Sequence, residues 1–198
     1  EPEETVREWA RAVRDGGRLA DVAGISWRDG DTVRHNADRA FIRDLDALPF
    51  PAWDLVDRSA YRSPISGRPF VLVGAGRGCP YPCKFCVAPA YYGQTPRLPS
   101  PQRIGDEVER NLREFGIREF LFWSDSFTLR REHALGIANE IENRHLGVEW
   151  SCNSRVDHVD PDLLSAFRRA GCKAIAYGVE SGTQAILDEV GKHVTLDQ

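Results

Sequence analysis

Methionine is missing from all 198 residues, the first included. A natural chain begins with one, so the stretch reads as internal to a longer protein. Long apolar runs are missing too: none approaches the ~20 residues that a membrane-crossing helix needs, and no signal-peptide pattern is visible. An excess of one charge is also absent. Twenty-six basic and 30 acidic residues leave a net charge of −4, in which nothing points to a general nucleic-acid or membrane-binding surface. Cysteine is sparse: there are five, three of them clustered, which is not the disulfide framework of a small secreted domain. A reducing cytoplasm is the expected setting.

The cluster is Cys79-Pro80-Tyr81-Pro82-Cys83-Lys84-Phe85-Cys86. Three thiolates can hold three irons of a four-iron cluster and leave the fourth without a protein ligand. An iron with an open position is a place for chemistry. A structural zinc site would need a fourth ligand, and His133, His145 and His158 all lie far from finger-like spacing. Pro80, Pro82 and Lys84 do not suit a buried core, whereas Cys152 and Cys172 read as small core residues.

Hydrophobic periodicity organises the chain. Residues 1–17 read as an amphipathic helix with Val6, Trp9 and Val13 at helical spacing and Gly16-Gly17 as its end. Residues 23–36 read as a hairpin around Arg28-Asp29-Gly30-Asp31. Residues 44–69 form a Pro- and Asp-rich linker that lies on a surface, anchored by Phe50 and Trp53. From Phe70 onward, strand and helix alternate four times: strands at 70–73, 119–123, 148–152 and 173–177, and helices opening at Ser100-Pro101, near 131, at Asp160-Pro161 and near 183. The third helix is expected to carry Leu163, Leu164 and Phe167 on its apolar stripe. This alternation predicts an α/β fold with a parallel sheet, open or closed as a barrel. Chemistry in such sheets gathers at the carboxyl ends of the strands. Those positions hold the cysteine loop, Ser124-Asp125-Ser126, Asn153-Ser154-Arg155 and Glu180-Ser181. Gly74-Ala75-Gly76-Arg77-Gly78 lacks the Lys-Ser/Thr of a phosphate loop, so its glycines read as room for the cysteine loop to turn.

The spacing Cys79-x-x-x-Cys83-x-Phe85-Cys86 resembles the radical S-adenosylmethionine superfamily over roughly residues 66–198. The resemblance implies a partial TIM-like (βα) barrel, stopping here after about four βα units, in which Cys79, Cys83 and Cys86 ligate a 4Fe-4S cluster. It implies that the open iron binds the amino and carboxylate groups of S-adenosylmethionine. Reduction then yields methionine and a 5′-deoxyadenosyl radical that abstracts a substrate hydrogen. By place in the motif, Phe85 would lie near the adenine. Ser124-Asp125-Ser126 stands where the family has a Gly-Gly-Glu segment, so Asp125 and Ser126 would face the methionine ammonium; the match is of place and charge, not of sequence. Arg155 would pair with the methionine carboxylate or with substrate, or form a salt bridge at the barrel rim. Glu180 and Ser181, in a run that resembles the family's fourth-strand segment, would meet the ribose.

Leu45-Asp46-Ala47-Leu48-Pro49-Phe50-Pro51-Ala52-Trp53-Asp54-Leu55 resembles the linker of radical enzymes that carry an N-terminal cobalamin-binding domain. The resemblance divides the chain into residues 1–43, the tail of such an α/β domain; 44–69, the linker; and 70–198, the radical core. It implies cobalamin held mainly by upstream residues, a small-molecule substrate, and an electron donor such as ferredoxin or flavodoxin. Methyl transfer or ring modification is the expected outcome. A cobalamin-independent methylthiotransferase, which would need a second cluster, and a non-catalytic electron-transfer module are the alternatives.

Overall fold

A computed structural model describes residues 1–198. They fall into two compact units, Glu1–Arg43 and Asp44–Gln198. In the smaller unit, helix α1 (Pro2–Asp15) starts at a proline, which suits the first turn, and ends at Gly16 in the left-handed region, φ 69°. Strands β1 (Ser26–Asp29) and β2 (Thr32–His35) pair antiparallel. Asn36 ties this unit together: its amide donates to the Leu19 and Val22 carbonyls, each at 2.7 Å, and accepts from the Trp27 indole at 3.1 Å. The apolar stripe on α1 is present, but Val6, Trp9 and Val13 are all exposed. A stripe is buried only where a second layer covers it, and this unit supplies none.

In the larger unit, β3 (Phe70–Gly74), β4 (Glu119–Trp123), β5 (Glu149–Ser154) and β6 (Cys172–Tyr177) form one sheet in chain order, every pair parallel. Between β3 and β4 the chain carries α2 (Ala88–Tyr92) and α3 (Pro101–Phe115); α4 (Arg131–Asn143) and α5 (Pro161–Arg169) make the next two crossovers, and α6 (Gln184–Glu189) follows β6. Side chains alternate along each strand. Val71, Val73, Phe120, Phe122, Trp150 and Cys152 pack with Ile104, Val108, Ile137, Ile141, Leu163 and Phe167 of the helices in a single core. Trp150 is its centre, with ring centroids 5.1 Å from Phe122, 5.8 Å from Phe127 and 5.0 Å from Phe167. Its indole N–H donates to the Ala170 carbonyl at 2.8 Å. Leu72 and Trp123, of opposite parity, are exposed.

The helix starts follow the capping chemistry. Ser100 Oγ accepts from the Arg103 N–H at 3.1 Å, and Asp160 Oδ1 accepts from the Leu163 N–H at 2.9 Å. One element of the pattern differs: Leu164 is exposed on α5 while Leu163 and Phe167 are buried. Adjacent helical residues point about 100° apart, so a four-residue spacing shares a face and a one-residue spacing does not. Strand β5 also runs to Ser154, two residues beyond the expected end. Residues 44–69 lie on this unit through the two anchors read in the sequence. Phe50 sits under the Arg103 guanidinium, 3.5 Å from its centroid, and Trp53 packs on the core and meets Tyr61 edge-on.

Candidate metal centre

The cysteine loop leaves the carboxyl end of β3 and returns through α2, a short helix that periodicity did not signal. Two reciprocal backbone hydrogen bonds between Arg77 and Arg97, 2.9 and 2.8 Å, close its neck, and the Cys79 N–H donates to the Gly93 carbonyl at 3.2 Å. Gly78 makes this closure possible. Its φ is 89°, and a Cβ there would stand 2.5 Å from the Thr95 carbonyl oxygen. The turning role read for these glycines therefore falls chiefly on Gly78, with Gly76 packed 2.7 Å from Leu98 at its virtual Cβ.

Asp125 joins the loop to the end of β4. Its Oδ2 accepts from the Gly78 N–H at 2.7 Å, one residue before the first cysteine. Burial pushes the Asp125 carboxyl up, opposed by that N–H and by Arg97. The Ser124 hydroxyl accepts the Ser126 N–H at 3.1 Å, while the Ser126 Oγ itself is buried and unpartnered. A buried hydroxyl without a partner is hydrogen-bonding capacity that a ligand can complete.

All five cysteines are free thiols. Burial pushes the Cys79 thiol up, opposed by the Tyr81 backbone N–H and helped by Asp125, Cys86 and Cys83. The three loop sulfurs do not close on one ion, since no group of three such donors is near enough to hold one. Three thiol donors on one glycine-hinged loop, with no fourth protein ligand among them, are the donor set of a cluster with one open iron rather than of a four-coordinate structural zinc. Cys152 lies buried in the core, as read, and Cys172 beside it is partly buried.

The remaining site residues separate into two groups. Phe85 is exposed, with the Lys192 ammonium 5.9 Å from its ring centroid. Lys192 is buried and pairs with Glu180 at 2.7 Å. Glu180 has a left-handed backbone, φ 63°, which re-aims its side chain after β6. Ser181 Oγ accepts from the Thr183 N–H at 3.0 Å, a local turn bond ahead of α6. Arg155 behaves differently. It is buried, its Nε and Nη2 donate to both Asp157 oxygens at 2.9 Å, and Nη2 also donates to the Lys192 carbonyl at 2.8 Å. The ion pair read for Arg155 is present, with Asp157 as its partner.

Sequence reasoning missed Lys192, Asp157 and the pairing of Tyr81 with His158, whose Oη and Nε2 are 2.6 Å apart. Tyr81 carried a signal, an aromatic inside the first cysteine gap. The others have none, because only the fold brings 155–158 and 190–192 beside the loop. There the Lys84 N–H donates to the Val190 carbonyl at 2.9 Å.

Comparison with known proteins agrees with this geometry. The family model for the radical SAM superfamily matches residues 73–198, and the chain belongs to that superfamily. Members use a 4Fe-4S cluster and S-adenosylmethionine. An uncharacterized methyltransferase of Pyrococcus horikoshii is 32% identical over 198 residues, covering 100% of this chain and 43% of its own length. The anaerobic magnesium-protoporphyrin IX monomethyl ester cyclase of Cereibacter sphaeroides is 30% identical over 179 residues, 88% of this chain and 29% of the cyclase. The chain thus spans less than half the length of these curated relatives. In fold it matches OxsB, a cobalamin-dependent S-adenosylmethionine radical enzyme solved with aqua-cobalamin and S-adenosylmethionine bound, at a TM-score of 0.77 and 22% identity, over 100% of this chain and 29% of OxsB. The parallel four-stranded sheet is a partial TIM-like barrel of this type. No helix is long and apolar enough to cross a membrane.

Proposed function

We propose that this chain is the cluster-bearing part of a radical S-adenosylmethionine enzyme that methylates or remodels a small molecule with the help of cobalamin. The observation that carries the reading is the glycine-hinged loop of three free thiols at the end of β3, fastened to the end of β4 by Asp125.

Cys79, Cys83 and Cys86 would hold the cluster, which when bound supplies the electron that cleaves the sulfonium of S-adenosylmethionine. Asp125 offers a carboxylate, and Ser126 a free hydroxyl, to the methionine ammonium. Phe85, exposed on the loop, offers its backbone to the adenine, and Glu180 with Ser181 offer acceptors to the ribose. The Glu180–Lys192 pair must open or share its carboxylate for that contact. Trp150 and its aromatic neighbours close the core on the helix-covered face of β3–β5. Cobalamin is supported by the likeness of residues 45–55 to a linker of cobalamin-carrying enzymes and by the fold shared with OxsB. The methyl-transfer outcome is supported by the Pyrococcus relative and ring modification by the cyclase.

The test uses full-length protein reconstituted anaerobically with iron and sulfide, reduced with dithionite and given S-adenosylmethionine. Formation of 5′-deoxyadenosine and methionine is expected, with one cobalt per chain after loading with cobalamin. Cys83→Ala is expected to abolish the iron–sulfur absorbance near ~400 nm. Absence of both products from the loaded parent, or an unchanged band in Cys83→Ala, overturns the reading.

A further inference from the structure

We propose that Arg155 and Asp157 are positioning residues of the cluster loop: a buried ion pair that, through Tyr81, fixes the loop between its first two cysteines and sets the reduction potential of the cluster held there. The inference rests on the functional reading above and moves Arg155 from a ligand of S-adenosylmethionine to a partner of the loop.

Geometry carries it. The Arg155 guanidinium carbon lies over the Tyr81 ring, 3.8 Å from its centroid. Tyr81 sits two residues from Cys79 and two from Cys83. The far end of the same ring is gripped by His158, and the Arg155 plane is held by both oxygens of Asp157 and by the Lys192 carbonyl. The ring is therefore held by its face and by its hydroxyl at once. All of these anchors come from the segments after β5 and α6, so the loop is pinned by elements distant in sequence.

The energetics argue for a purpose. Arg155 is 5% exposed, and a buried ion pair is usually no more stabilising than well-packed apolar residues of the same volume. A cation stacked on the residue between two thiolates is, however, a direct lever on a cluster whose potential follows net local charge. Asp157 sets how much of that charge the loop feels. Each charge therefore moves the potential in its own direction, which a purely structural brace would not do.

The experiment uses the full-length protein after anaerobic reconstitution with ferrous iron and sulfide. It reads iron and sulfide per chain and the cluster midpoint potential by redox titration followed by electron paramagnetic resonance. Arg155→Gln is expected to lower the potential, because a positive charge is lost. Asp157→Asn is expected to raise it, because the guanidinium is left uncompensated. Arg155→Lys, which keeps the charge, is expected to restore most of the parent value. Tyr81→Phe is expected to lower iron per chain, with the ring kept and the His158 bond gone. Unshifted potentials, or shifts of one sign in both charge variants, overturn the inference. If Arg155→Gln does not fold, Asp157→Asn decides alone: a rise supports the proposal and no rise overturns it. A parent that takes up no cluster overturns the functional reading, and this inference with it; a loaded parent with unshifted variants overturns this inference only.

Discussion

Glu107 on α3 is buried beside the apolar stripe, with Arg103 at 3.4 Å and its own Oε1 unpartnered. Burial pushes its carboxyl up to about 7, against the pull of Arg103 and Arg110. The folded chain therefore holds a proton that the unfolded chain releases from its ordinary value of 4.5 upward. Stability falls as pH rises from that value to about 7, and the loss is complete above it. Glu107→Gln is expected to raise the melting temperature above pH 7 and to flatten the slope across this window relative to the parent. The gain is on the order of 1–3 kcal/mol, read from melting curves between pH 4 and 8. An identical pH profile in parent and variant would show that Glu107 is solvated. At this scale the strand-end places of the cysteine loop, Asp125 and Glu180 were legible from periodicity, while the roles proposed for them came from the resemblance. Glu107 was not, because a charged residue between Ile104 and Val108 looks solvent-facing until the neighbouring segments cover it.

Among the elements, helix starts were the most legible parts, since their chemistry is local: Ser100-Pro101 and Asp160-Pro161 cap α3 and α5 as their residue types require. Ser100→Ala is expected to cost about 1 kcal/mol. Asp160→Ala is expected to cost more, because Asp160 also pairs with Arg131 at 2.7 Å. Denaturant titration ranks the two, and equal costs would mean that the exposed Arg131 pair contributes nothing. Helix α2 was illegible, for its five residues are too few to show a period and its form is set by loop closure. Gly78 tests that closure. Gly78→Ala forces a Cβ against the Thr95 carbonyl, and it is expected to reduce iron per chain while the far-ultraviolet circular dichroism of the sheet and helices stays as in the parent. Full iron loading in that variant would show that the loop neck tolerates widening.

At the scale of the whole molecule, the parallel sheet and its helices followed from strand–helix alternation, a signal repeated often enough to survive errors at single residues. What the alternation does not encode is which distant segments meet over the cysteines, and those contacts decide the site. The larger unit holds the core around Trp150; within the smaller, Val22 is the buried apolar residue. Trp150→Ala is expected to cost about 3–5 kcal/mol, from lost burial, the cavity and the freed Ala170 carbonyl. Residues 44–198 expressed alone are expected to keep the near-ultraviolet signal of the aromatic cluster. Loss of that signal would mean that residues 1–43 are needed for the core to form.

The bond from Lys84 to the Val190 carbonyl has a consequence in time. Chains leave the ribosome N-terminus first, so the three cysteines emerge long before Val190 and Lys192 are made to close beside them. During that interval the thiols stand open to stray metals and oxidants in the cell. Delivery of iron and sulfide is best matched to the finished chain, and slow translation between the loop and the far segment would lengthen the period of greatest risk.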